Sequence, residues 1–354
     1  MSAGLQYGGK QRLCYIPGLG GQPFKIVFRG GLAWIEALRL SKVPWLVHAF
    51  STRQGGRSHS PCAGLNLGSS GWDRRELVEL NRRRSLRQLD AADFVLASLR
   101  QIHSSHAYML ARDGAGQLCY QPSGVALTEQ APTSPPAGDG LLTAEAGILL
   151  TVRIADCLPV LLVDAHRRVV AAVHAGWRGA LARVIEKAVG DMHRVFGSHP
   201  GQLMAALGPS IRACCYEVGE EVVEAFHGQF VRADQFFRTP PHRPEAATQR
   251  RSIPFLGAYP PGHAPQQGPA AHLDLVAVAL DQLARAGVKL SNALIADYCT
   301  ACRTDLFFSH RKEGERTGRQ MAVVGIRPGK RGSPTNTNPQ ASPLGRGCPR
   351  YEGR

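Results

Sequence analysis

The stretch from residue 147 to 174 constrains the fold more than any other. It holds three β-rich runs in succession, 147–155 (GILLTVRIA), 160–164 and 169–174, with gaps too short to hold a helix. Residues 165–168 have the length of a hairpin turn, so the second and third runs are expected to pair antiparallel. Further short β-rich runs lie at 203–207, 293–297 and 321–326. The core is therefore expected to be built on sheets. After Gly179, the apolar residues Leu181, Val184, Ile185, Ala188, Val189, Met192 and Val195 repeat at helical spacing until Gly197 stops them. Leu273, Val276, Ala277, Leu280, Leu283 and Ala284 give a second helix ending at Gly287, and 77–89 and 218–226 read as two more. Strands and helices mix without strict strand–helix–strand alternation, which points to an α+β arrangement.

Composition narrows the class. Hydrophobic residues are 44% and charged residues 19%, enough apolar material for a core and too little charge for a structureless chain. The net charge of +15 invites an acidic partner, but its placement weakens that reading. Residues 1–30 contribute +4 and residues 327–354 contribute +5, so only +6 is left for everything between. A nucleic-acid-binding role would have to use these basic ends, because no helix-turn-helix, RNP-like or zinc-finger pattern lies between them. We expect a mobile N-terminal extension over 1–30, one catalytic domain over 31–327 and a basic disordered tail over 328–354. Pro/Gly-rich excursions are expected at 121–138 and 239–267, where adjacent prolines deny donors to a ladder. The nine cysteines are odd in number and unevenly spaced, the start of the chain has no long apolar signal-like segment, and the longest apolar stretches fall far short of a bilayer span. The expectation is a reduced, cytoplasmic protein without a membrane or specific nucleic-acid partner, a homodimer being left open.

Chemistry concentrates at the ends of the central runs. Cys157 sits in Ala155-Asp156-Cys157-Leu158-Pro159, where Pro159 is expected to end the pairing, and His174 closes the third run and opens the glycine-lined turn His174-Ala175-Gly176-Trp177-Arg178-Gly179. If 160–164 and 169–174 form a hairpin, Cys157 and His174 meet at its open end, near a helix N-terminus that favours anions. A strand-end Cys and His are often mere packing and turn residues. Together, a thiolate and an imidazole suit zinc or copper, and one further imidazole would complete an open three-ligand site. His103, in Gln101-Ile102-His103-Ser104-Ser105-His106, is the nearest donor to hand, with His106 in reserve. Spacing alone does not select between them.

The chain also carries, in order, His48-Ala-Phe-Ser-Thr-Arg53-Gln-Gly-Gly56, Leu65-Asn66-Leu67-Gly68, Asn81-Arg82, Gln101-Ile-His103, Ala155-Asp156-Cys157, His174-Ala-Gly-Trp-Arg178-Gly179, Gly208-Pro209-Ser210-Ile211, Cys299-Thr300 and Phe307-Phe308-Ser309-His310-Arg311. Over residues 43–326 these blocks resemble the family described as YfiH-type, polyphenol-oxidase laccase-like or purine nucleoside phosphorylase-like proteins. The resemblance implies a four-layer α/β/β/α fold with mixed sheets and the metal ligands His103, Cys157 and His174, holding zinc, with copper (Cu2+) as the alternative ion. It implies phosphorolysis of purine nucleosides (adenosine, inosine, S-methyl-5′-thioadenosine) to free base and ribose 1-phosphate or its methylthio analogue, together with adenosine deamination. Purine nucleosides and phosphate are the partners that follow.

Phosphorolysis needs cations, and Arg53, Arg178 and Arg311 are the motif-borne ones, with Arg178 first because it adjoins the helix start. Asp156 and Asp305 are candidates to orient an imidazole or move a proton. The expected catalytic set is therefore Arg53, Cys157, Arg178, Asp156 and Asp305, and the expected substrate contacts are Arg53, Asn66, Arg178, Phe308 and Arg311. Two departures stand out: Ser104-Ser105-His106 follows Gln-x-His where the family has Gly, and His310 replaces a common Tyr. Cys299-Thr-Ala-Cys302 is assigned to structure or the pocket wall, since no second Cys-x-x-Cys completes a four-sulfur site, and Cys214-Cys215 are read as buried thiols. Alternatives from the same residues are an editing hydrolase of peptidoglycan precursors, using the metal or Cys157 as nucleophile, and a laccase-like copper polyphenol oxidase. The latter is ranked lower because the 13 histidines include no His-x-His pair.

Overall fold

The computed structural model describes residues 23–69, 71–127, 135–238 and 271–329. The 239–267 excursion, residues 1–22 of the basic N-terminal end and residues 330–354 of the basic tail lie outside the described residues. In chain order the strands are β1 (Phe24–Arg29), β2 (Leu32–Ala37), β3 (Leu46–Ser51), β4 (Val95–Ala97), β5 (Ala107–Arg112), β6 (Leu118–Gln121), β7 (Val125–Ala126), β8 (Gly140–Thr143), β9 (Ile148–Ile154), β10 (Leu158–Asp164), β11 (Val169–Ala175), β12 (Met204–Leu207), β13 (Glu217–Val218), β14 (Phe237–Arg238), β15 (Ala271–Leu273), β16 (Ala293–Ile295) and β17 (Gln320–Ile326). The helices are α1 (Arg75–Gln88), α2 (Trp177–Leu181), α3 (Val184–Phe196), α4 (Glu220–Gln229), α5 (Leu275–Arg285) and α6 (His310–Glu313).

Two mixed sheets stack face to face. One has the order β1-β2-β3-β17-β9-β4 and the other β16-β12-β10-β11-β8-β5-β6-β7. Period-two alternation in β10 and β11 explains their continuous apolar runs, because both faces are covered. Leu161, Val163, Val170 and Ala172 point between the sheets toward Leu150, Val152, Ala322 and Val324. Their neighbours Val160, Leu162, Ala171 and Val173 face the opposite way, onto Ile185, Ala188, Val189, Met192, Val276 and Leu283 of α3 and α5. On the far side of the first sheet, Trp34, Val47, Ala49, Leu149 and Val323 pack with Leu86 and Leu89 at the end of α1. The result is the expected α/β/β/α stack.

The central hairpin forms with Val160 opposite Val173 and Asp164 opposite Val169. Pro159 does not end the pairing. It lies opposite His174 inside β10, and β10's other neighbour, β12, pairs only from Val160 onward, so the missing N–H leaves no gap in that ladder. Residues 24–29, expected within the N-terminal extension, form β1 against β2. Within the 121–138 excursion, Val125–Ala126 pairs with β6 at the sheet edge.

The single helix expected after Gly179 is broken. Arg183 takes a left-handed φ of 60° between α2 and α3. Gln282 of α5 fits the break, donating to the Ala180 carbonyl at 2.6 Å and accepting from Ile185 N–H at 3.2 Å. It thereby satisfies backbone groups that a continuous helix would have paired internally.

At one end of the sandwich the chain crosses between sheets three times, the longest crossing being residues 296–319 from β16 to β17. Residues 98–106 lead from β4 in the first sheet to β5 in the second, and residues 155–157 lead from β9 to β10. These two shorter crossings carry His103 and Cys157.

Candidate metal centre and active-site cleft

The site is organised by a carboxylate that the sequence reading did not select. Asp139, fully buried immediately before β8, accepts from His174 Nδ1 at 2.8 Å. The same carboxylate takes the backbone N–H groups of Ile102, His103 and Ser104 at 3.3, 3.1 and 2.6 Å and the Ser104 hydroxyl at 2.8 Å, while its carbonyl accepts from His174 N–H at 2.8 Å. One side chain thus fixes the His103 loop and the His174 ring together. With Nδ1 bonded to Asp139, His174 presents Nε2 to the site, the arrangement of a ligating histidine whose tautomer is set from behind. Burial works against ionisation of Asp139, but the hydrogen bonds from His174 and Ser104 prevail and hold its pKa at about 2. His103 itself has φ 59°, a left-handed conformation held by these bonds.

Cys157 is placed by the second crossing. Asp156 turns the corner at φ 97°. Its carboxylate accepts from the Thr300 hydroxyl at 2.6 Å and Arg311 N–H at 2.7 Å, and its carbonyl from Ile211 N–H at 2.8 Å. Asp156 is therefore a cornerstone of the turn, and the imidazole-orienting role expected of it belongs to Asp139.

His103, Cys157 and His174 each offer a ligand atom, and these atoms all lie within 4.8 Å of one another. Cys157 Sγ is 3.7 Å from His103 Nε2, and the two imidazole rings meet edge to face at 4.9 Å between centroids. Gly176 closes the floor: a Cβ there would stand 2.6 Å from His103 Cδ2 and 3.0 Å from Cys157 Sγ. Two imidazoles and one thiolate converging on a space that even a methyl group would invade fit a zinc or copper ion with an open coordination position. His106 is exposed and stands outside this group.

The charges also fit. Burial alone would raise the Cys157 thiol, but the adjacent His174 and His103 bring it down to about 6. Burial alone would lower His174, but Cys157 and Asp139 raise it to about 9. Without metal, the pair is a thiolate–imidazolium couple between those two values. In protein stripped of divalent ions by chelation, the rate of Cys157 alkylation by iodoacetamide is therefore expected to rise with a midpoint at about pH 6 rather than the ordinary 9. Peptide-level mass spectrometry across the pH range checks this, and a midpoint at 9 would remove the couple.

Above the ligands lies a cleft of 590 Å³. Among the described residues, Arg100, Arg153, Arg178, Arg311 and Arg319 line it, against a single carboxylate, Asp156, whose oxygens are already engaged. Such a wall attracts anions. Arg178 stacks over Trp177 at 4.3 Å and Arg311 over Tyr216 at 5.3 Å, so two aromatic rings and two guanidinium groups frame the opening. Burial and the nearby Arg82 and Arg319 bring Arg153 down to about 10, the mark of cations crowded together.

Of the expected site residues, the structure brings His103, Cys157, His174, Asp156, Arg178 and Arg311 to this cleft. It places the others elsewhere. Arg53 pairs with Glu313 at 2.7 Å, donates to the Thr304 carbonyl at 2.8 Å and lies over the buried Phe308 ring, tying loops together behind the site. Asn66 is buried and accepts from the N–H groups of Gly68 and Arg319, so it positions two lining residues without reaching the cleft. Asp305 is exposed and paired with Arg303 at 2.7 Å. Arg100, Arg153 and Arg319, missed in the sequence, come from three separate segments, and only the fold assembles them. His310, at the position where the resemblance expects Tyr, lines the cleft.

Comparison with known proteins agrees with this fold. Residues 47–327 match the family model described as multi-copper polyphenol oxidoreductase laccase. The chain is 31% identical over 281 residues to the purine nucleoside phosphorylase YlmD of Geobacillus stearothermophilus, covering 79% of this chain and 90% of that protein. It is 37% identical over 187 residues to adenosine deaminase RL5 of an unknown prokaryotic organism, covering 52% of this chain and 61% of that one. The crystal structure of YlmD from Geobacillus stearothermophilus superposes with a TM-score of 0.68 at 28% identity, covering 87% of this chain and all of that one. No helix among the described residues is long and apolar enough to cross a membrane.

Proposed function

This chain belongs to the multi-copper polyphenol oxidoreductase laccase family, and from that premise we propose that it is a metal-dependent purine nucleoside phosphorylase that also deaminates adenosine. The observation that carries the proposal is the meeting of an open two-histidine, one-cysteine ligand set with five arginines lining the cleft above it. Phosphate and a nucleoside are the substrates such a cleft suits: an anion for the arginines and a flat base for the rings of Trp177 and Tyr216. The names borne by the relatives support the same chemistry.

His103, Cys157 and His174 would hold zinc or copper, which when bound supplies Lewis acidity toward the purine or toward water. The chain's own residues do the rest. Asp139 holds His174 and the His103 loop in one orientation, so the ligand geometry needs no rearrangement during turnover. The arginine wall fixes phosphate with an oxygen toward C1′. As that oxygen bonds to C1′, the C1′–N9 bond breaks, its electron pair leaves with the base, and the base takes up a proton. Positive charge growing on the ribose is matched by the phosphate, which the guanidinium groups keep in place.

The experiment is incubation of adenosine, inosine and S-methyl-5′-thioadenosine with and without phosphate, followed by separation of free bases and ribose 1-phosphates. Phosphate-dependent release of base supports phosphorolysis, and phosphate-independent conversion of adenosine to inosine supports deamination. Arg178→Ala is expected to lower phosphorolytic kcat/KM by roughly 10²-fold while leaving deamination nearly intact, because only phosphorolysis needs an anion held beside the ribose. Equal losses in both reactions would assign Arg178 to the frame of the cleft.

A further inference from the structure

We propose that the chain holds a second metal ion, a structural zinc bound by Cys214, Cys215, Cys299 and Cys302. In sequence these residues form two unrelated fragments, an adjacent pair and a single Cys-x-x-Cys. In the fold the four sulfurs come within 4.8 Å of one another. Cys302 Sγ lies 3.4 Å from Cys215 Sγ and 3.6 Å from Cys214 Sγ. Four thiolates at zinc–sulfur bonds of about 2.3 Å in a tetrahedron stand about 3.8 Å apart, so the observed spacing is that of a coordination shell. It is far too long for a sulfur–sulfur bond, and none of the four is in a disulfide.

Burial argues against simple packing. Cys214 and Cys302 are exposed, Cys215 is half-buried and Cys299 is buried, so the earlier reading of the Cys214-Cys215 pair as buried thiols does not hold. Cys299 Sγ also accepts from Arg212 N–H at 3.4 Å, the kind of backbone bond that stabilises a thiolate ligand. Four sulfurs complete a tetrahedron with no position left for water, unlike the open set at His103, Cys157 and His174, so the role is structural.

What the ion would hold is clear from the backbone. Ser210 and Cys299 form a bridge between their segments, and Thr300 N–H donates to the Ser210 carbonyl at 3.0 Å. Ile211 and Tyr216, flanking the cysteine pair, line the cleft, and Thr300, between the other two cysteines, bonds to Asp156. A zinc ion here ties the segment 211–216 to the segment 299–302 beside the active cleft.

The test is metal analysis of the full-length chain purified under reducing, zinc-replete conditions. The wild-type protein is expected to carry two zinc equivalents and Cys302→Ser one, with a lower melting temperature. Cys302→His, which restores a ligand, is expected to return to two. Cobalt reconstitution of Cys157→Ser, which lacks the other thiolate, should still give intense sulfur-to-cobalt charge transfer and the visible bands of a tetrahedral thiolate site. Should Cys302→Ser fail to fold, stepwise mercurial titration of wild-type thiols is expected to release two zinc ions per chain. One zinc equivalent in the wild-type protein, unchanged in Cys302→Ser, would overturn the proposal, as would a disulfide among the four cysteines found by mass mapping of the reduced preparation.

Discussion

Cys157→Ser is expected to lose the metal of the two-histidine site and nucleoside turnover together, with kcat/KM falling by more than about 10²-fold, since removing even a ligand's hydrogen-bond partner costs up to that much. The thiol is brought down to about 6 by the imidazoles around it, so at neutral pH it is a thiolate that neutralises part of the ion's charge. A serine hydroxyl stays protonated and offers a hard, neutral oxygen in place of a soft anion. Metal analysis and activity measured on one preparation check the result. The same lowered thiol could serve as a nucleophile, and that role predicts a different pattern: full metal content, no activity, and a covalent adduct on the wild-type sulfur. That outcome would replace the phosphorylase reading with a thiol hydrolase, for which peptidoglycan precursors are the substrates to try first.

Asp139→Ala is expected to destabilise the fold by about 3–5 kcal/mol, the usual cost of removing one partner from a buried ion pair. The substitution strands the His174 ring and the N–H groups of Ile102, His103 and Ser104 at once. Metal affinity should fall about 10–100-fold, because His174 then loses its fixed tautomer and the His103 loop its anchor. Chemical denaturation of metal-free protein supplies a sign as well as a size. Asp139 is held at about 2 in the fold against an ordinary 3.8, so its contribution is complete above 3.8 and disappears as pH falls through 2. The wild-type protein should lose stability steeply across that window, and Asp139→Ala should not. A variant as stable as the wild type, with the same acid limb, would show that the carboxylate is incidental.

The meeting of Cys157 with His174 was legible because its geometry is local. A hairpin with its turn at 165–168 can only bring residue 157 toward residue 174, and Pro159 does face His174 across the strands. His103 needed the resemblance, since nothing in its spacing separates it from His106. Asp139 went unread because its partners lie more than thirty residues away on either side, and an Asp before a strand looks like any turn residue. Arg53, Asn66 and Phe308 were expected as substrate contacts because they sit in motif blocks, and the structure sets them in loops outside the described cleft lining. A motif residue that shapes a loop looks the same in one sequence as a residue that touches a ligand. The break at Arg183 was invisible for a similar reason: the apolar spacing runs straight through it, and the group that makes it affordable, Gln282, sits on another helix.

Two of the three proposed metal ligands, His103 and Cys157, lie where the backbone steps from one sheet to the other, which limits how this protein can diversify. In folds that hang their chemistry on strand-tip loops, a loop can lengthen without disturbing its neighbours. Here an insertion in residues 98–106 or 155–157 would shift a ligand and the alignment of two sheets in the same stroke. New substrate preferences must therefore come from side chains that overhang the cleft from outside these two short crossings, such as Trp177, Arg178, Tyr216 and His310. The reacting centre behaves as a keystone, and the ornament around it is the part free to change.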